Sequence, residues 1–168
     1  MPEQKKLKIE FKEVDRLLLD VDNPRLSAIG DAKSQDALVE VLWNEMAVDE
    51  VALSIAANGY FEEEPLFIVP GDPKKPEQKD KFIVVEGNRR LAAVRLLRNA
   101  ELRRAIKATD LPKISEKQRK ALDQLPVSIY PDKESLWEFF GFRHVNGPKE
   151  WDSFSKATYV ARVRREFG

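Results

Sequence analysis

FIVVEGNRRLAAVRLL, residues 82–97, reads in one pass as a strand, a turn and a helix. Phe82 to Val85 is a continuous apolar run rich in β-branched residues, the pattern of a strand buried on both faces. The helical LAAVRLL follows almost at once. Where a strand feeds directly into a helix, the first helical N–H groups have no internal partner and point outward, which makes an anion site. Gly87 lets the backbone approach a ligand closely, and Asn88 is placed to cap the helix. Arg89 and Arg90 are the oddity. Cations in a first helical turn oppose the helix dipole, at a cost of about 0.3–1 kcal/mol each. Something must supply negative charge. One reading is a phosphate chain, to which Arg donates bidentately; the other is a solvated Arg pair bridged to carboxylates elsewhere in the chain.

Working outward toward the N-terminus, GDPKKPEQKDK (71–81) is a polar, Pro-rich loop, and residues 65–70 (PLFIVP) form a short buried strand. Before them, Val48, Val51, Ala52, Ile55 and Ala56 recur at helical spacing and stop at Asn58-Gly59, a C-terminal helix signal. Ser34 caps an earlier helix through Leu42. VDRLLLDVDNPR, ahead of it, carries Asn23-Pro24 and is read as a shaped loop, while LKIEF (7–11) alternates like a half-buried strand. Toward the C-terminus come helical segments at 100–108 and 115–123, the latter opening on a Ser115/Gln118 capping box. A strand at 126–130 and a helix over 132–140 follow. After Gly147-Pro148 a last amphipathic helix spans 151–167 and ends in RVRREF. No internal repeat is visible. The expectation is an α/β (α+β) domain at 1–131, a small mixed sheet packed with several helices, then a helical extension at 132–168 that leads toward a further, downstream domain.

Composition narrows the classes of function. The chain has 168 residues, 42% hydrophobic and 35% charged, with 29 Lys plus Arg against 29 Asp plus Glu. Zero net charge excludes a generally basic, histone-like binder. It conceals two opposed stretches: 44–64 has six acidic residues and no Lys or Arg, while 81–107 has eight basic against two acidic. With no Cys, disulfides, Cys-zinc sites and thiol catalysis are excluded, and a cytoplasmic location is the default. One histidine, His144, cannot build a His-rich metal centre. No apolar run is long enough to cross a membrane.

Three stretches together are similar to the ParB/sulfiredoxin-like superfamily. FIVVEGNRRLAAVRLL resembles its strand–Gly–x–Arg/His–Arg–helix box; LLLDVDNPRL (17–26) looks like its Asn-Pro-Arg segment; LSIAANGYFEEEPLFIV (53–69) resembles its helix–Gly–x–x–x–Pro–strand box. The resemblance covers about residues 14–98. It implies a small mixed sheet and a nucleoside triphosphate, CTP or ATP, with its phosphates on the Gly87-Asn88-Arg89-Arg90 turn. By the same analogy Gly59 lies near the base and ribose, Asn23 and Arg25 close over the ligand, and Asn146 contacts phosphate. Each has a plainer alternative: a helix cap at Gly59, a Pro turn with a surface Arg at 23–25, and a solvated side chain at Asn146.

Departures from the family sharpen the reading. Sulfiredoxins need Cys where this chain has Asn88, so that activity is excluded. Partitioning members of the family carry Glu at this place, followed by two Arg; Arg89 and Arg90 match and Asn88 does not. The family's Glu-Asn-x-x-Arg box, which helps hold Mg2+ and triphosphate, has its nearest counterpart in Arg143-His144-Val145-Asn146-Gly147, without the Glu. Glu86 stands where related free-serine kinases have an acidic residue, a base or metal-ligand position. Three functions remain open: a nucleotide-binding switch; an enzyme (weak NTPase, phosphotransferase or nuclease) using Glu86; and an adaptor that binds DNA or an acidic partner without nucleotide. DNA reached through a downstream domain, and a homodimer, are the partners this allows.

Overall fold

The computed structural model describes residues 8–23 and 34–136. Arg25, His144, Asn146 and the helix read over 151–167 lie outside them. Five strands form one mixed sheet: β1 (Glu10–Glu13), β2 (Leu17–Leu19), β3 (Leu66–Pro70), β4 (Phe82–Glu86) and β5 (Gln124–Ile129), in the order β1-β5-β3-β4-β2. β1 runs antiparallel to β5, β5 parallel to β3, β3 antiparallel to β4, and β4 parallel to β2. β1 and β2 occupy opposite edges, yet only the single 3-10 turn Val14–Arg16 joins them. Three residues can link the two edges only if the sheet curls toward closure.

Both faces of the sheet are covered. Leu17, Leu19, Leu66, Ile68, Val84, Leu125 and Val127 face the main core, with helices α1 (Gln35–Glu45), α2 (Val48–Asn58), α3 (Asn88–Arg98) and α4 (Ala100–Ala105). Leu18, Phe67, Val69, Ile83 and Val85 face the other way and meet Leu136. This two-sided burial is why β3 and β4 read as unbroken apolar runs. It also explains the strand that sequence reading passes over. Residues 14–25 were expected as a shaped loop, but Leu17–Leu19 pair in parallel with Phe82, Ile83 and Val84. Three successive leucines carry no alternation to announce a strand, and the following Asn-Pro pair signals a turn.

Local capping works as the sequence implies. Ser34 Oγ accepts from Ala37 N at 3.1 Å. Ahead of α5 (Glu116–Ala121), Ser115 and Gln118 form both halves of a capping box. Among the described residues no helix is long and apolar enough to cross a membrane.

Candidate functional site around the Gly87 turn

α3 starts one residue after β4 ends, and Gly87 makes the junction as the N-cap, with φ 106°. A Cβ there would stand 2.4 Å from Leu66 Cδ2 and 3.0 Å from Arg90 Nη2. Glycine is thus required twice, by the left-handed backbone and by the packing of β3 against the turn. Leu91 N returns a hydrogen bond to Gly87 O at 3.0 Å. The amides ahead of it, at the positive end of an 11-residue helix, have no carbonyl of their own helix to reach.

Asn88 does not cap, contrary to the sequence expectation. It is the first helical residue rather than the N-cap, and its side chain is 4% exposed and turned inward. Its Oδ1 accepts from Asp20 N at 3.1 Å, and its Nδ2 donates to Val84 O at 2.9 Å. One amide therefore fixes the start of α3 both to β4 and to the end of β2. Asp20 begins the tight turn that carries Asn23, whose N donates to Asp20 O at 3.2 Å.

The two arginines point to different neighbours. Arg89 Nη2 donates to Ala47 O at 3.1 Å, at the left-handed residue (φ 50°) that joins α1 to α2. Arg90 Nη1 donates to Tyr60 Oη at 3.1 Å, to Glu64 O, and to Pro65 O at 3.4 Å. Tyr60 Oη in turn donates to Glu64 O at 2.9 Å. These bonds run from the basic turn to the acidic 44–64 stretch through main-chain carbonyls and a phenol. Burial pushes the Tyr60 hydroxyl up to about 12; the Arg90 charge and hydrogen bond work in the opposite direction, and Glu64 and Glu86 add to the rise.

Three loops therefore converge on the N-terminus of α3: the Asp20–Asn23 turn through Asn88, the Gly59–Pro65 turn through Arg90, and the α1–α2 junction through Arg89. Of the residues singled out from sequence, Asn23, Gly59, Glu86, Gly87, Asn88, Arg89 and Arg90 lie on these loops or on the turn itself. Gly59 ends α2 with φ 78° and open space where a Cβ would be. Glu86, half-buried, closes β4. Glu62 and Glu63 are exposed.

Sequence reading missed Asp20, Tyr60 and Lys133. Asp20 is 3% exposed, and its Oδ1 accepts from Lys133 Nζ at 2.9 Å and from Asp22 N at 3.0 Å. An ion pair spanning 113 residues leaves no trace in local spacing. Tyr60 could have been found, since it directly follows Gly59 in the 53–69 motif.

No protein-family model matches the chain, and no curated protein does. Among solved structures, the C-terminally truncated chromosome-partitioning protein ParB from Caulobacter crescentus, complexed with CTP-γ-S, is similar with a TM-score of 0.44 and 15% identity. The alignment covers 95% of this chain and 64% of that one, so the chain spans under two thirds of its length.

Proposed function

We propose that this chain is a nucleotide-binding switch module of ParB-like type, with the phosphates of a nucleoside triphosphate, CTP or ATP, seated on the Gly87–Arg90 turn. The observation that carries the reading is the convergence of three loops on the N-terminus of α3: two of them, the Asp20–Asn23 and Gly59–Pro65 turns, lie in motifs that resemble the family, and the Gly87 turn they meet lies in the remaining one. Backbone amides of the first turn face the phosphates, and Arg89 and Arg90 supply cationic donors. Because each arginine also holds a loop, a ligand that draws either guanidinium toward itself changes how firmly that loop is tethered. Asn88 passes the state of the turn to Asp20, and Asp20 passes it to Lys133. Gly59 and Tyr60 line the side toward the base and ribose, with Asn23 and Arg25 closing over the ligand and Asn146 adding a phosphate contact.

Among the described residues no group of three or more His, Asp or Glu is placed to hold a metal ion. Binding rests on amide and guanidinium donors, so its dependence on Mg2+ is weak and turnover slow.

Calorimetric titration of the four ribonucleoside triphosphates, with and without Mg2+, tests this against Arg90→Ala. Losing one charge-assisted phosphate contact costs about 1.5–3 kcal/mol, a drop of tenfold or more in affinity. Parent protein that binds none of the four, or Arg90→Ala that binds as the parent does, would overturn the proposal.

A further inference from the structure

The two edges of the sheet are finished differently. On β2 the outward backbone groups are taken by side chains: Gln35 Oε1 accepts from Leu19 N at 2.7 Å, Gln35 Nε2 donates to Leu19 O at 3.1 Å, and Arg95 Nη2 donates to Leu17 O at 2.5 Å. That edge is closed to any further strand. β1, at the other edge, pairs with β5 alone among the described residues. Phe11 lies opposite Pro126. Proline has no N–H, so this pair exchanges no hydrogen bonds, and the Phe11 N–H and C=O point away from β5. Ile9 and Phe11 are apolar and 43% and 48% exposed.

We propose that the outer edge of β1 docks a second copy of this chain, strand against antiparallel strand. The argument for that occupant is the charge pattern of Glu10-Phe11-Lys12, which is its own complement in an antiparallel pair. With a two-fold axis at Phe11, Glu10 of each copy faces Lys12 of the other, twice over. On the opposite face Phe11 meets Phe11, an aromatic cross-strand pair that covers the exposed rings. In the single copy, Glu10 already lies between Lys8 at 3.3 Å and Lys12 at 3.9 Å, so a second copy extends an alternation that exists. The strand has four residues, a small contact beside the roughly 1,200 Å² of a stable interface. The dimer is accordingly weak and concentration-dependent.

Sedimentation velocity on the full chain over a wide concentration range reads this directly. The parent should shift from monomer toward dimer as concentration rises. Glu10→Lys alone and Lys12→Glu alone each place like charges opposite one another and should weaken association by about tenfold or more. Mixing the two single variants restores it, as does the double swap in one chain. Lys12 also lies 5.4 Å from the Phe82 ring; the double swap lacks that contact too, so recovery isolates the cross-strand charges. Phe11→Pro is a charge-independent check, because the N–H it removes makes no bond within the sheet; it should keep the circular dichroism melt and lose the dimer. A parent that stays monomeric throughout, a dimer indifferent to these substitutions, or a double swap that fails to recover would overturn the proposal.

Discussion

At the scale of single residues, Gly87 and Tyr60 carry the most testable physics. Gly87→Ala combines a positive φ, worth about 1–3 kcal/mol of strain, with a collision against Leu66 Cδ2. Urea denaturation should show a loss of about 2–6 kcal/mol, strain and overpacking together. Leu66→Ala should cost at least about 0.5 kcal/mol less in the Gly87→Ala background than in the parent, because it removes the colliding atom. Additive losses would mean that β3 moves aside freely. Tyr60 makes stability depend on alkaline pH. Its folded pKa, about 12, lies above the ordinary 10.0. The neutral phenol therefore favours the fold fully below pH 10, and that contribution fades as pH rises from 10 through 12, by about 1.4 kcal/mol per unit. Of the three tyrosines, Tyr60 should ionise late in an absorbance titration. Tyr60→Phe should flatten the loss of stability between pH 10 and 12; an equally steep loss would assign the effect to another group.

At the scale of elements, the edge of β2 depends on Gln35. Truncation to Ala leaves Leu19 N–H and C=O without their shared partner, at about 1–3 kcal/mol. Chemical denaturation measures it, and a cost under about 0.5 kcal/mol would show that water replaces the amide. The same edge shows what local pattern can announce. β3, β4, the helices capped by Ser34 and Ser115, and the helix end at Gly59 all announce themselves through apolar runs, capping residues or a glycine stop. β2 does not, because its identity lies in pairing with β4 and in side chains from α1 and α3. The site divides the same way. Gly87 stands out as a glycine between an apolar run and a helix, and the Arg pair because it contradicts helix-dipole preference. The inward turn of Asn88 and the carbonyl targets of both arginines follow from tertiary placement, which no spacing encodes.

At the scale of the whole molecule, the acidic and basic stretches are not separate poles. Arg89 and Arg90 anchor the basic turn to the 44–64 segment. The Asp20–Lys133 pair has a consequence for where this chain can be divided. A boundary near residue 131 looks natural in the sequence, since Pro131 separates a strand from a helix. Yet a fragment ending there would leave the buried Asp20 carboxylate without the ammonium that neutralises it. It would also uncover the apolar face filled by Leu136, which is fully buried. Losing a charge-assisted hydrogen bond of this partly buried kind costs about 1.5–3 kcal/mol, a sizeable share of a domain's stability. Limited proteolysis should therefore spare the 130–136 segment, and residues 1–131 made alone should be poorly folded, whereas Lys133→Met in the intact chain should show the electrostatic part by itself. A division that keeps both contacts falls after Leu136, so that β5 and the Lys133–Leu136 segment that packs back on it stay in one piece.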